Sequence, residues 1–76
     1  MKRLGNVNRI SQGKAIIDSE TDSPPDIGTA VINDQLSQVG EIVDIIGPTT
    51  SPFVVLMPDS GIHPPDLLGE TLYTRD

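Results

Sequence analysis

Prolines and glycines divide this chain into short segments, and their spacing limits the secondary structure that it can form. Seven Gly and seven Pro are spread over 76 residues, so no window of ordinary helix length is free of a helix-breaking residue. Nine Ile, six Val and six Thr make 21 β-branched residues, against two Ala. These side chains favour strands because they lose χ1 freedom in a helix. The sequence therefore predicts an all-β protein with no helix beyond a single turn.

Six segments have the length and composition of β-strands, and polar turns rich in Pro or Gly separate them. They cover residues 3–10, 14–18, 29–32, 39–46, 53–57 and 67–74. Six short strands in a chain of this size close most economically into a small antiparallel barrel, because closure removes the exposed sheet edges. We therefore predict a single β-barrel domain over residues 1–76.

Segment 39–46 has the strongest strand pattern. Strict alternation puts Val39, Glu41, Val43 and Ile45 on one side and Gly40, Ile42, Asp44 and Ile46 on the other. Apolar side chains on both sides predict burial on both, either at the centre of the fold or under a partner. A barrel of fewer than about 80 residues rarely gains more than ~3–5 kcal/mol from its own core, so a covering partner would stabilise it. We expect the partner contact between residues 39 and 56.

The charge balance argues against direct nucleic-acid binding by the chain alone. Eleven acidic and five basic residues give a net charge of −6. Proteins that bind RNA or DNA neutralise phosphates with Lys and Arg, which are scarce here beyond the first 14 residues. An acidic, lysine-poor composition also suits a halophilic protein of a saline cytoplasm, and the alternative is an ordinary acidic protein.

The residues typical of catalytic and metal sites do not occur in the required combinations. His63 is the single histidine, and the chain has no Cys to complete a metal shell or act as a nucleophile. The glycine spacing matches no phosphate-binding loop. We therefore expect no enzyme activity and no catalytic, cofactor-binding or metal-binding residues. The two aromatic residues, Phe53 and Tyr73, lie in apolar runs and are expected to pack in the core. With these classes of site excluded, the sequence favours a protein-binding module.

Cellular location is predicted from features that the sequence lacks. No run approaches 18 apolar residues, and Lys2 and Arg3 lead into Gly5-Asn6 rather than an apolar signal core. The absence of Cys agrees with a reducing compartment. These features predict a cytoplasmic protein with no membrane partner.

Several motifs resemble one known family in the same order. Residues 39–48 read VGEIVDIIGP and are followed by Pro52-Phe53-Val54. The chain opens with MKRLG, has Asp-Ile-Gly at 26–28, and carries GETLY at 69–73. Together these motifs resemble the archaeal GAR-type accessory subunit of the H/ACA small ribonucleoprotein, the RNA-guided pseudouridine synthase particle. The resemblance spans nearly the whole chain.

The resemblance implies a fold, a partner and a role. The fold is a six-stranded barrel of the translation-factor-like (reductase/isomerase/elongation factor) type. The partner is the catalytic pseudouridine synthase subunit, the archaeal counterpart of dyskerin, with guide and substrate RNA met only indirectly. The implied role is non-catalytic, promoting substrate RNA loading and product release during rRNA pseudouridylation in ribosome biogenesis.

The resemblance also assigns the partner-binding positions, which surround the bend between the fourth and fifth strands. Gly and Pro hold this bend rigid, so docking orders little additional chain. Ile46 stands where the family commonly has Phe, Thr49 where Val is usual, and Phe53 where Tyr is usual. The partner-binding residues so predicted are Ile45, Ile46, Gly47, Pro48, Pro52, Phe53 and Val54.

Two other classes of function stay open. A ribosome-maturation or translation-associated barrel would share the fold but bind a ribosomal component. A small enzyme would need a pocket with convergent polar groups. The apolar run 42–46 also predicts weak self-association of the free protein through its uncovered strand.

Overall fold

The strands of this protein form a closed barrel. The computed structural model describes residues 1–20, 23–47 and 52–75. Within these ranges the strands are β1 (Lys2–Ser11), β2 (Lys14–Ser19), β3 (Ala30–Ile32), β4 (Gln38–Ile46), β5 (Phe53–Pro58) and β6 (Thr71–Thr74). Neighbours pair antiparallel in the order β1-β2-β5-β4-β3-β6, and the sheet closes on itself. The predicted all-β, six-stranded antiparallel barrel is confirmed.

Bulges in β1 change which side chains reach the barrel interior. Simple alternation places Leu4 and Ile10 on one side of the strand and Val7 on the other. In the structure Leu4 and Val7 belong to the buried core, and Ile10 packs against it. Against β6, the pairing register of β1 shifts between Arg3 and Gly5. Against β2, it shifts between Val7 and Arg9. Each shift adds one residue to β1. The inward positions therefore recur every three residues.

The same spacing occurs in β4, and within the chain itself it buries only one face of the strand, so burial of the other face under a partner stays a prediction. Val39 and Ile42 belong to the core, and Ile45 packs against it. The register shift against β3 leaves Val39 as the extra residue, and the shift against β5 leaves Val43. The other face is open to solvent in the isolated chain, because Val43 is half-buried and Ile46 is 43% exposed.

Two buried glycines allow neighbouring strands to cross closely. A Cβ on Gly40 would overlap the carbonyl oxygen of Met57 on β5. A Cβ on Gly5 would meet the carbonyl oxygen of Asp18 on β2 in the same way. Only a residue without a side chain fits such crossings, so both positions require Gly.

The last strand is shorter than the predicted segment 67–74. Pro64–Leu67 form a single 3-10 turn, and β6 begins only at Thr71. Proline suits the start of such a turn because its φ is already fixed. Leu67 is 4% exposed and joins the core, whereas Leu68 is exposed, so Leu67 alone of this pair covers the core, and it does so without forming a strand. No helix within the described ranges is long and apolar enough to cross a membrane.

Candidate interaction surface

The β4–β5 hairpin brings together several positions predicted to bind a partner. Ile45 pairs with Val54, and Ile46 pairs with Phe53. Directly opposed residues of an antiparallel pair point to the same face of the sheet. Ile45 and Val54 pack inward, as members or neighbours of the core. Ile46 and Phe53 therefore share the outer face of the barrel.

Three other predicted partner-binding residues are buried or half-buried, and one lies outside the described residues. Val54 is fully buried, and Ile45 is half-buried against the core. Pro52 is buried, and its carbonyl oxygen accepts a hydrogen bond of 3.3 Å from the backbone N–H of Ser19. Pro48 falls in the undescribed segment 48–51. The partner contact at these positions stays a prediction.

Gly47 shapes the end of β4 around an aromatic ring. Its φ is 94°, in the left-handed region that glycine adopts readily. A Cβ at Gly47 would lie 3.4 Å from Cδ2 of Phe53, so the chain passes closely beside the ring. The expectation that Phe53 packs in the core is wrong, because Val54 takes the inward position and leaves Phe53 half-buried outside. Tyr73 is likewise half-buried and outside the core cluster.

The outer face of β5 carries apolar side chains that the sequence analysis did not assign to the site. Val54 and Leu56 fill the core, so the alternate residues of β5 face outward. Neighbouring side chains of β2 and β4 extend this apolar surface on both sides. We call it the outer strip, and it consists of Ile16, Val43, Ile46, Phe53, Val55 and Met57. Each lies outside the core cluster. Ile46 and Met57 are exposed by 43% and 42%, Val43 and Phe53 are half-buried, and Ile16 and Val55 are exposed by only 8% and 7%.

Carboxylates border the outer strip. Each of three exposed acidic residues on β2 or β4 is paired across the sheet with an apolar residue of β5. The pairs are Asp18 with Phe53, Asp44 with Val55, and Glu41 with Met57. Paired residues point to the same face, so the carboxylates lie directly beside the apolar side chains. An apolar centre with a negative rim favours a partner whose apolar patch is bordered by Lys or Arg.

His63 lies between β5 and β6, directly before the 3-10 turn. Its Nδ1 is 3.3 Å from Oδ1 of Asp66, and both side chains are largely exposed. Such an exposed pair contributes little to stability. The described residues contain no group of three or more His, Asp or Glu side chains placed to hold a metal ion.

The chain is similar to known proteins over nearly its whole length. The model of the family described as the Gar1/Naf1 RNA binding region matches residues 1–75. A protein of Methanothermobacter thermautotrophicus, described only as uncharacterized, is 34% identical over 76 aligned residues. That alignment covers 96% of this chain and 82% of the relative. The residues matched by the family model include the β4–β5 hairpin and all six strands.

Proposed function

We infer the function of this chain from the family to which it belongs, that of the Gar1/Naf1 RNA binding region. The predicted resemblance is thereby confirmed, and membership supports an RNA-binding role associated with H/ACA ribonucleoproteins. The family is an accessory family rather than a catalytic one. We propose that the chain docks on the catalytic pseudouridine synthase subunit, in the cytoplasm, and promotes substrate RNA loading and product release. The uridine chemistry then belongs to the partner.

The outer strip carries this proposal. Its solvent-accessible part consists of the exposed Ile46 and Met57 and the half-buried Val43 and Phe53, and an apolar patch of this kind on a small protein commonly marks an interaction site. The strip lies on three adjacent strands, β2, β5 and β4, whose pairing holds its side chains in place before any partner arrives. Docking on such a preorganised face loses little conformational entropy. The strip includes Ile46 and Phe53, two of the positions assigned from the family resemblance.

The negative rim supports a partner that itself binds RNA. A catalytic subunit that holds guide and substrate RNA needs Lys and Arg along the path of the phosphates. Asp18, Glu41 and Asp44 are placed to meet such residues at the edge of the contact. Charges at the rim raise association rates and select the partner, while the apolar centre supplies most of the affinity.

Size-exclusion chromatography with light scattering tests the docking directly. The full chain is mixed, without RNA, with the pseudouridine synthase subunit of the same organism in molar KCl, and co-elution at one-to-one is expected. Ile46→Asp and Met57→Asp place a charge in the apolar centre, and each should weaken binding by roughly thirtyfold or more, the loss typical of an interface hot spot.

Ile27→Asp is the matched control, because Ile27 is 61% exposed and lies outside the outer strip. This variant should co-elute like the unmodified chain. Equal loss in all three variants would assign the effect to general charge rather than to the strip. Separate elution of the unmodified proteins would contradict the docking, and the translation-associated barrel that binds a ribosomal component would then be the function to test.

A further inference from the structure

A pocket of about 420 Å³ lies where β1, β3 and β6 meet the loop that precedes β3. Lys2, Arg3 and Arg75 line it. The whole chain has only five Lys and Arg residues and a net charge of −6, so most of its positive charge is gathered at this one place. Cations held together repel one another. Glu20 already offsets the charge of Arg3, and a bound anion would relieve the repulsion that remains.

Strand pairing accounts for the convergence of these cations. Lys2 at the start of β1 pairs with Thr74 at the end of β6, and Arg75 follows directly. Arg3 donates from Nε to Oε2 of Glu20 at 2.8 Å, a contact that orients its guanidinium. A guanidinium carries five N–H donors in a planar fork that matches the oxygens of a phosphate.

The rest of the pocket wall suits a nucleoside beside that phosphate. Its volume falls within the range of roughly 300–1,000 Å³ common for small-molecule sites. Apolar groups provide a surface for a base, and hydroxyl groups can hydrogen-bond a sugar. Pro25 and Ala30 are half-buried and offer the apolar surface, whereas Leu4 is only 1% exposed. The hydroxyl residues are Ser23, Thr29 and Thr74, of which Thr74 is only 4% exposed.

The pocket lies across the barrel from the outer strip. In the closed order β1-β2-β5-β4-β3-β6, β6 is three strands from β5 in either direction. The strip is centred on β5, whereas the pocket is formed by β6 and its two neighbours. A protein docked on the strip would therefore leave the pocket open to a second ligand.

We propose that this pocket binds a backbone phosphate and the adjoining nucleoside of a single-stranded RNA segment. The ligand class rests on the RNA-binding role used in the proposed function, but the site does not depend on docking through the strip. The contact is direct, in contrast to the indirect one implied by the sequence resemblance. The net charge of −6 weakens RNA binding by the free chain, and tethering within a particle would compensate through a high effective concentration.

NMR spectroscopy of the full chain, labelled with ¹⁵N, tests the site at residue resolution. A short oligouridylate is titrated in low salt, and inorganic phosphate is titrated in parallel. Amide shifts are expected at residues 2–4, 29–30 and 74–75, with the oligouridylate binding more tightly than phosphate. Arg75→Gln removes one charged hydrogen-bond donor and should weaken binding roughly tenfold.

Arg9→Gln is the matched control, because it removes the same charge from an exposed position of β1 that does not line the pocket. It should leave the affinity for the oligouridylate nearly unchanged. For single strands, each phosphate contact contributes about 0.7 to the slope of log K against log salt concentration. Arg75→Gln should reduce that slope by about this amount, and Arg9→Gln should not.

Three results would overturn the proposal: equal loss in Arg75→Gln and Arg9→Gln, no shifts in the pocket, or phosphate binding as tightly as the oligouridylate. The first indicates diffuse attraction, and the last indicates a site for free anions only. Arg75→Gln should still co-elute with the synthase subunit in the absence of RNA. Failure of the pocket is therefore distinguishable from failure of docking, and loss of co-elution in this variant would assign the pocket to the protein interface instead.

Discussion

Ile42 and Ile46 are the same residue type on the same strand, four positions apart, so strict alternation gives them the same face. The structure separates them, because the bulge in β4 lies between Ile42 and Asp44. Ile42 is 0% exposed in the core, whereas Ile46 is 43% exposed on the outer strip. The same substitution made at each of these two positions therefore tests whether the bulge places the two side chains on opposite faces.

Removing one methylene group from each isoleucine should have unequal effects on stability. Ile42→Val leaves a small cavity in the core and should lower the free energy of unfolding by about 0.5–1.5 kcal/mol. Ile46→Val removes a group already near solvent and should change it by less than about 0.5 kcal/mol. Urea unfolding of both variants measures the difference. Equal losses would show that the two side chains share one face.

The candidate site could be predicted from sequence only in part, for a reason seen in segment 53–57. Every residue of Phe53-Val54-Val55-Leu56-Met57 is apolar, so alternation cannot say which side chains face inward. The residue pattern predicted the two strands of this hairpin, but neither it nor the motif resemblance could separate inward Val54 from outward Phe53. Closure of the barrel settles the choice, because Val54 lies opposite inward residues on both neighbouring strands.

At the scale of elements, five of the six strands lie close to their predicted positions because Gly and Pro mark the turns between them. The start of β6 could not be predicted locally. Leu67-Leu68 resembles the beginning of a strand, but Leu67 is needed to cover the core from a 3-10 turn. That requirement arises only when the whole barrel is closed. The bulges could not be predicted from the local sequence either, since they follow from closure of the barrel at a small radius.

The seam between β3 and β6 should be the first part of the barrel to open. β3 spans only Ala30–Ile32, and its registered contact with β6 is the single pair Ile32 and Tyr73. β2 and β5, by contrast, share four registered pairs. Regions with few tertiary contacts open locally at a lower free energy than the global unfolding.

Native-state hydrogen exchange measures this difference. Amides of β5 should reach protection close to the global free energy of unfolding, and amides at the β3–β6 seam should fall short by roughly 1 kcal/mol or more. Uniform protection around the barrel would contradict the weak seam. Ala30 and Thr74 flank this seam and also line the pocket proposed to bind RNA. A ligand in that pocket should therefore raise the protection of the seam amides against exchange.

For the molecule as a whole, excess negative charge sets the response to salt. The chain has eleven acidic and five basic residues, and its described part measures 32 × 27 × 21 Å. The Debye length is about 30 Å at 0.01 M salt, so every charge then acts on every other, and it is about 3 Å at 1 M. Screening removes self-repulsion from the compact state. The thermal midpoint should therefore rise with KCl by roughly 4–8 °C, which corresponds to about 1 kcal/mol for a chain of this size.

The shape of that rise separates a halophilic protein from an ordinary acidic one. Simple screening is largely complete near 0.15 M, where the Debye length is about 8 Å, so an ordinary acidic protein should reach a plateau there. A saline cytoplasm would have selected a chain whose midpoint continues to rise into the molar range. Replacing Asp18, Glu41 and Asp44 with their amides reduces the excess charge and should flatten the low-salt part of the curve. A midpoint that stays constant or falls with KCl would show that self-repulsion does not limit the stability of this barrel.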